Sequence, residues 1–399
     1  MALWLHFSCL QLLFVSLLFG VYVFPGFAIG GDEETAISRI AFGSCANQSA
    51  PQPIWDGIIN FKPQLFIWMG DNIYGDNKRP FKLIGKERTV GPWKNVPRFY
   101  PASEQELVSR YNKAKTNPGY SLLRERTRVL LLDTRYHRDP LFSDGEMLGT
   151  SQWAWLEKEM HRVASQITII VSSIQVISNF SATTEPLFHV ESWAHFPKER
   201  DRLFKLIVNS NRNGVFFISG DVHFGEITRY DCGNRYPLYD ITSSGLTQAV
   251  EKAVPSPLAF LIRVAAWLSP STMRVFNKEC RYRSCVYGKP NFGTIEMDWD
   301  ANPVSIKFSV RDMNGEPVTS VNVSLSELQA GNMHDSGTPS VAIRGQKHCL
   351  LEVDLPWIIR HRLAIFFFGT LTVLVLAMVL MTVAALSVAN FCIHKFKLD

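Results

Sequence analysis

Three short apolar segments of this chain each run out into side chains that can hold a metal ion. The first ends in Phe42-Gly43-Ser44-Cys45, the second in Gly70-Asp71-Asn72-Ile73-Tyr74, and the third in Ser219-Gly220-Asp221-Val222-His223. A glycine at each end lets the backbone turn sharply where it must approach a site. Asp221 and His223 are two residues apart, so in an extended segment both point the same way. Each piece alone has an ordinary explanation. Gly-Asp after a strand is common turn chemistry, a cysteine in an oxidising compartment is more often a disulfide partner, and Tyr74 and Trp68 are ordinarily packing residues. Together they offer carboxylate, imidazole, thiolate and phenolate from three strand ends. That set suits trivalent iron or another transition metal, and further carboxylates and water would suit Ca²⁺, Mg²⁺ or Mn²⁺. A metal pair there could polarise a phosphate and generate a hydroxide nucleophile near neutral pH. A thiol enzyme using Cys45 as nucleophile is a weaker reading, because no nearby sequence feature marks a partner histidine.

The elements that must position these residues follow the hydrophobic pattern. Ile37 to Gly43 reads as a strand, Ile54 to Phe61 as a helix and Leu65 to Met69 as a strand, which is a βαβ unit. Residues 76–101 read as a polar loop, and Ser103 to Lys115 as a helix capped by Ser103 with Glu106 three residues on. Arg128 to Asp133, Ile167 to Ile177, Val215 to Ser219 and Leu238 to Thr242 are apolar strands. Thr150 to His161 and Pro197 to Val208 are amphipathic helices between them. Pro257 to Leu268 is an apolar helix too short to cross a bilayer. Gly293 to Trp299 and Ser305 to Asp312 alternate like a hairpin. Strands alternating with helices predict an α/β sheet, and in such sheets ligands gather outside the carboxyl ends of the strands.

Both ends are apolar. Leu3 to Phe24, followed by Gly26, Ala28, Gly30, Gly31 and then Asp32-Glu33-Glu34, has the order of a signal peptide, assigned to residues 1–30, although the positively charged start is missing. Leu363 to Phe391 carries no charged residue and exceeds the ~30 Å hydrocarbon core, so it reads as a single C-terminal transmembrane helix. Residues 329–356 read as a linker and 392–399 as a short tail. Positive charge flanks the span on both sides, so orientation rests on the signal peptide, which puts the domain in the secretory lumen or outside the cell. Sequons at Asn47, Asn179 and Asn322 fit a glycoprotein. The net charge of +5 comes with no dense basic patch, which argues against nucleic acid as a partner. Apart from Cys9 and Cys392 in the apolar ends, five cysteines remain: Cys45, Cys232, Cys280, Cys285 and Cys349. The odd count leaves at least one thiol unpaired. Cys280 and Cys285 are near enough to close a small loop.

From about Ile40 to Ala249 the chain resembles the PhoD-like phosphatases of the calcineurin-type metallophosphoesterase superfamily. The carrying segments are Phe42–Cys45, Met69-Gly70-Asp71-Asn72-Ile73-Tyr74-Gly75-Asp76, Leu132-Asp133-Thr134-Arg135, Trp193-Ala-His-Phe-Pro-Lys-Glu-Arg200 and Ser219–His223. The resemblance implies a four-layer αββα sandwich over residues 36–328, with Cys45, Asp71, Tyr74, Asp221 and His223 as metal ligands. It implies an alkaline-phosphatase-like hydrolase acting on phosphate mono- or diesters. Asp71, Asp221 and His223 are central to that catalysis, Arg135 and Asn72 are candidate phosphate-binding groups, and iron and calcium (or Mg, Mn, Zn) are the expected ions. One departure stands out. The family places an Asp- and His-containing motif of the type Trp-Asp-Asp-His-Asp between the Gly-Asp-x-x-Tyr and Leu-Asp-Thr-Arg strands. Here the chain is shortened near 120–127, and no histidine lies between His6 and His137. The loss removes a carboxylate from a second metal and a strand from the sheet, exposing the edges or apolar faces of its neighbours. The alternative expectation is therefore a shortened isoform, catalytically impaired, that acts as a non-catalytic membrane glycoprotein.

Overall fold

The computed structural model describes residues 36–47, 50–72, 76–78, 99–101, 105, 126–139, 145–162, 165–178, 180–184, 190–252, 255, 259–269, 272–330, 348–349 and 356–396. The predicted signal peptide, Tyr74, Asn179, most of the predicted helix at 103–115 and the shortened interval at 120–125 lie outside them.

The predicted βαβ unit is present. Strand β1 (Arg39–Gly43) and strand β2 (Leu65–Trp68) pair in parallel, with Gly43 opposite Trp68, and helix α1 (Ile54–Phe61) joins them. A short hairpin follows, from β3 (Asp76–Lys78) and β4 (Phe99–Pro101), inside the stretch expected to be loop. The second half of the α/β pattern gives β5 (Thr127–Leu131), α2 (Gly149–His161), β6 (Ile167–Ser172), the short helix α3 (Phe180–Thr184), α4 (Pro197–Asn209), β7 (Val215–Ser219), β8 (Gly225–Tyr230) and β9 (Leu238–Ser243). After helix α5 (Ala259–Leu268) the predicted terminal hairpin proves to be a three-stranded meander of β10 (Asn291–Asp298), β11 (Ser305–Asp312) and β12 (Pro317–Ser324).

These strands form two five-stranded sheets, in the orders β12-β11-β10-β1-β2 and β5-β6-β7-β9-β8. In the second sheet β5, β6, β7 and β9 are parallel, and β8 is antiparallel at the edge. Apolar faces of the two sheets meet in one core, where Phe308 of β11 stands 4.8 Å from Phe216 of β7 and 5.6 Å from Tyr239 of β9 between ring centroids. The other face of the first sheet buries Ala41 and Phe292 against Ile54 and Ile58 of α1. Leu203, Phe204 and Ile207 of α4 close onto the second sheet. β5 is an edge strand among the described residues, and Leu131 is 57% exposed on it.

The predicted strand Ile167 to Ile177 stops at Ser172. The Ser172 hydroxyl donates to the Ile174 carbonyl at 2.6 Å, and the Val176 and Ile177 amides turn to the Asp240 carboxylate instead of continuing the ladder. Among the described residues Cys232–Cys349 and Cys280–Cys285 are disulfide-bonded, and Cys45 takes part in neither bridge. At the C-terminus a short helix α6 (Trp357–Arg360) leads into α7 (Arg362–Phe396). Residues Arg362–Ala389 of α7 have mean hydropathy 2.7 and are long and apolar enough to cross a membrane.

Candidate metal centre

The site assembles where the carboxyl ends of β1, β2 and β7 converge, so both sheets contribute to it. The Met69 amide donates to the Gly43 carbonyl and the Ala46 amide to the Asp71 carbonyl, which locks the β1 and β2 turns together. The third turn is held by the Ser244 hydroxyl, which accepts from the His223 amide at 2.7 Å, and by the Val250 amide, which donates to the His223 carbonyl at 2.9 Å. Gly220 lies so close to the first turn that a Cβ there would stand 2.5 Å from the Ser44 hydroxyl oxygen. A side chain at 220 would have to displace the Ser44 hydroxyl where the two sheets meet.

Within this junction Cys45, Asp71 and His223 bring a thiol sulfur, a carboxylate oxygen and an imidazole nitrogen within 4.8 Å of one another. Cys45 is buried, His223 half-buried and Asp71 exposed, so the group opens to solvent on one side. The Cys45 thiol stands 3.6 Å from Asp71 Oδ2. Of the seven non-glycine residues with positive φ among the described residues, four are here: Cys45 (61°), Asp71 (46°), Asp221 (74°) and His223 (61°). Each left-handed residue costs of order 1–3 kcal/mol, and such strain persists where the surroundings over-determine it, which is typical of functional sites.

Asp221 is placed differently. Its carboxylate accepts from Arg135 Nη2 at 2.6 Å. Arg135 also pairs with Glu191, and Arg138 reaches the same Glu191 oxygen at 2.6 Å. Asp133 positions this arginine, since its Oδ1 accepts from the Arg135 and Tyr136 amides at 2.9 and 3.0 Å. Asn72 and Arg135 line a cavity of about 300 Å³ beside the metal-type cluster, together with Gly70, Thr134 and Ser173. A larger cleft of about 840 Å³, between α2 and α4, holds no grouping of metal-type ligands among the described residues.

Electrostatics separate the roles. Burial pushes the Asp221 carboxyl up to about 6, with Glu191 and Asp71 adding to the rise and Arg135 opposing it. Burial holds His223 below the usual imidazole range against the pull of Asp71, so the ring is neutral near pH 7 and keeps a lone pair for a metal. Burial pulls the Arg135 guanidinium down, but Asp221, Glu191 and Asp71 outweigh it and raise it further. Glu191 is held below the carboxylate range: burial pushes it up, and Arg138 and Arg135 more than compensate.

Of the sequence-predicted site residues, Cys45, Asp71 and His223 meet at one point. Asp221, Arg135 and Asn72 border it, and Tyr74 lies outside the described residues. Glu191 and Arg138 were not anticipated. The one signal available was their position, since Glu191 stands two residues before Trp193, at the head of the Trp193–Arg200 segment, and Arg138 three after Arg135.

A sequence model of the PhoD-like phosphatase family matches residues 125–257. Over those residues the chain is similar to the PhoD-like phosphatases. Alkaline phosphatase D of Bacillus subtilis (strain 168) is 26% identical over 144 residues, which is 31% of this chain and 25% of that protein. The match thus spans about a quarter of that curated relative's length. A solved structure of PhoD aligns with a TM-score of 0.43 and 15% identity, over 73% of this chain and 69% of that one. The family match includes Arg135, Glu191, Asp221 and His223 but ends short of Cys45 and Asp71. Those two are brought beside the matched segment by the strand-end geometry alone.

Proposed function

We propose that this protein is a metal-dependent phosphoesterase of alkaline-phosphatase type, built as a four-layer αββα sandwich and anchored by α7 in a membrane. The observation that carries the reading is the convergence of Cys45, Asp71 and His223 within 4.8 Å on strained turns from two sheets.

The donor set fits a metal. A thiolate, a neutral imidazole and a carboxylate suit iron or zinc, whereas calcium or magnesium would draw on oxygen donors such as Asp71 and Asp221. A bound ion would supply Lewis-acid polarisation of the phosphoryl group and an acidified water. The protein's own groups do the rest. Cys45 is buried beside Asp71, and a metal would be held by its thiolate, so ligation would release the thiol proton. Arg135, held by Glu191 and Asp221 at the rim of the cavity, presents a guanidinium fork already oriented for phosphoryl oxygens. Asn72 lines the same cavity and offers an amide donor. The phosphate ester, mono- or diester, is the substrate class this constellation serves. Two disulfides support a lumenal or extracellular placement of the domain.

The test is hydrolysis of p-nitrophenyl phosphate by the full-length protein with and without added metal. Asp71→Ala and His223→Ala should each lower kcat/KM at least about a thousandfold, the scale expected for loss of a metal-activated nucleophile, with the circular-dichroism spectrum unchanged. Full activity in either variant overturns the assignment. Metal analysis addresses the shortened interval: a purified chain that holds no ion and turns over no ester would be the non-catalytic membrane glycoprotein instead.

A further inference from the structure

Helix α5 presents apolar side chains that the domain does not cover. Phe260, Val264 and Trp267 fall at i, i+4 and i+7, one stripe of the helix, with Leu261 beside it. Phe260 is 55%, Leu261 49% and Trp267 58% exposed. At ten residues α5 is far too short to span a bilayer. Its other side is firmly seated: Ala266 is buried with Val222 and Phe224, the two neighbours of His223. Arg263 pairs with Glu251 at 2.9 Å, in the short turn whose Val250 amide binds the His223 carbonyl. The uncovered stripe therefore belongs to a rigid part of the domain, one helix away from a candidate metal ligand.

The surroundings say what covers it. α5 packs beside the start of α7, where Leu363 and Ala364 are buried against the domain. The Arg362 guanidinium, the last charge before the apolar run, lies 5.9 Å from the Trp267 ring centroid. An arginine over a tryptophan at the head of an apolar span is the pairing expected at headgroup level, where aromatic rings and snorkelling cations collect. From Ile365 onward α7 exposes a continuous apolar surface, and Trp357 and Ile358 of α6 are exposed just before it. The stripe of α5 thus continues the surface that α7 offers to lipid.

We propose that α5 lies on the bilayer surface beside the point where α7 enters, as an in-plane second contact that seats the domain against the membrane. The turn carrying His223 then stands about one helix diameter, ~10 Å, from the headgroups, within reach of phosphoesters carried in or on the membrane. The proposal rests on the reading that α7 spans the bilayer and is independent of whether the site is catalytic.

Spin labels on the full-length chain, reconstituted into phosphatidylcholine–phosphatidylserine vesicles, test it. Labels go at Leu261→Cys in α5, at Met378→Cys in α7 and at Lys205→Cys on exposed α4. All three labels are placed in a Cys9→Ser/Cys392→Ser background, and that background, whose Cys45 is buried, serves as the blank. Collision with oxygen relative to a water-soluble nickel complex reports depth. The ratio at 261 should exceed that at 205 and fall below that at 378. A ratio at 261 equal to that at 205 places α5 in water and overturns the docking. A label at 261 shielded from both quenchers shows a second copy of the chain on the stripe and overturns it as well. A water-like value at 378 sinks the span and, with it, the surface contact, whatever the hydrolysis assay gives.

Discussion

At Asp221 burial and charge pull against each other. Its carboxyl sits near 6 in the folded protein despite the Arg135 guanidinium 2.6 Å away, because removal from water dominates and Glu191 and Asp71 add negative charge. The unfolded value is about 3.9. With the folded value the higher of the two, the native state binds more protons between them. The contribution to stability is therefore complete below about pH 4 and is lost as pH rises through 6. In metal-free protein Asp221→Asn should accordingly raise stability at pH 7.5, on the order of 1 kcal/mol, under the ceiling of about 3 that a two-unit shift allows. The gain should vanish near pH 4. Thermal melts in chelator at both pH values measure it, and a loss at pH 7.5 would show that the Arg135 pair outweighs burial. Added metal should reverse the order of the two melting curves if Asp221 reaches the ion. What was legible at this scale was local: a glycine turn followed by a ligand type marks Cys45, Asp71 and His223 without any knowledge of the fold. What was illegible was pairing at a distance. Glu191 reaches Arg135 and Arg138 across more than fifty residues, and its place two residues before Trp193 does not by itself distinguish it from a solvated acid.

Beneath the metal-type turn, strands β7, β8 and β9 share a buried polar network. Glu226 of β8 pairs with Arg274 at 2.8 Å, both essentially inaccessible to water, and accepts from Gln175 and Ser178 at 2.8 Å each. Asp240 of β9 accepts from the Ser219 hydroxyl at 2.6 Å, and Ser219 immediately precedes Gly220-Asp221. Removing one charge of a buried pair strands the other. Arg274→Met should therefore cost about 3–5 kcal/mol, read by urea unfolding, while adding Glu226→Gln should recover most of it. Equal losses in the single and double variants would show that the packing of Arg274, and not its charge, is what matters. The same network explains which elements the sequence concealed. In Gly225–Tyr230 the buried positions include Glu226 and Thr228, so the strand lacks the apolar alternation that reveals one. In Pro317–Ser324 buried Thr319 and Ser320 do the same. The βαβ unit and β7, whose strands are largely apolar in sequence, were read correctly from the pattern.

For the molecule as a whole, the parallel α/β halves were legible because each strand is apolar and each helix amphipathic. That the halves belong to two sheets was implied by the family resemblance and not by the pattern, since β1 finds β10 across some two hundred and fifty residues and no periodicity encodes such a partner. The cysteines were legible as an odd set, and their pairing was set by the fold. That pairing has unequal consequences. Cys232–Cys349 closes a loop of 117 residues, whereas Cys280–Cys285 closes one of 5. Restriction of the unfolded chain grows with the logarithm of loop length, so the long bridge contributes up to about 5 kcal/mol and the short one about 2. The long bridge also fastens residues 348–349, ahead of α7, to the β8–β9 end of the second sheet, where the Asp231 amide donates to the His348 carbonyl at 3.1 Å. In urea unfolding of the full chain in detergent micelles, the Cys232→Ser/Cys349→Ser pair should therefore lose more stability than the Cys280→Ser/Cys285→Ser pair, by about 2–3 kcal/mol. Protease should also cut sooner between the domain and α7 in the first variant than in the second. Equal losses would mean that the unfolded chain is already compact across that interval, because a loop whose ends stay close when unfolded gains little from a covalent tie.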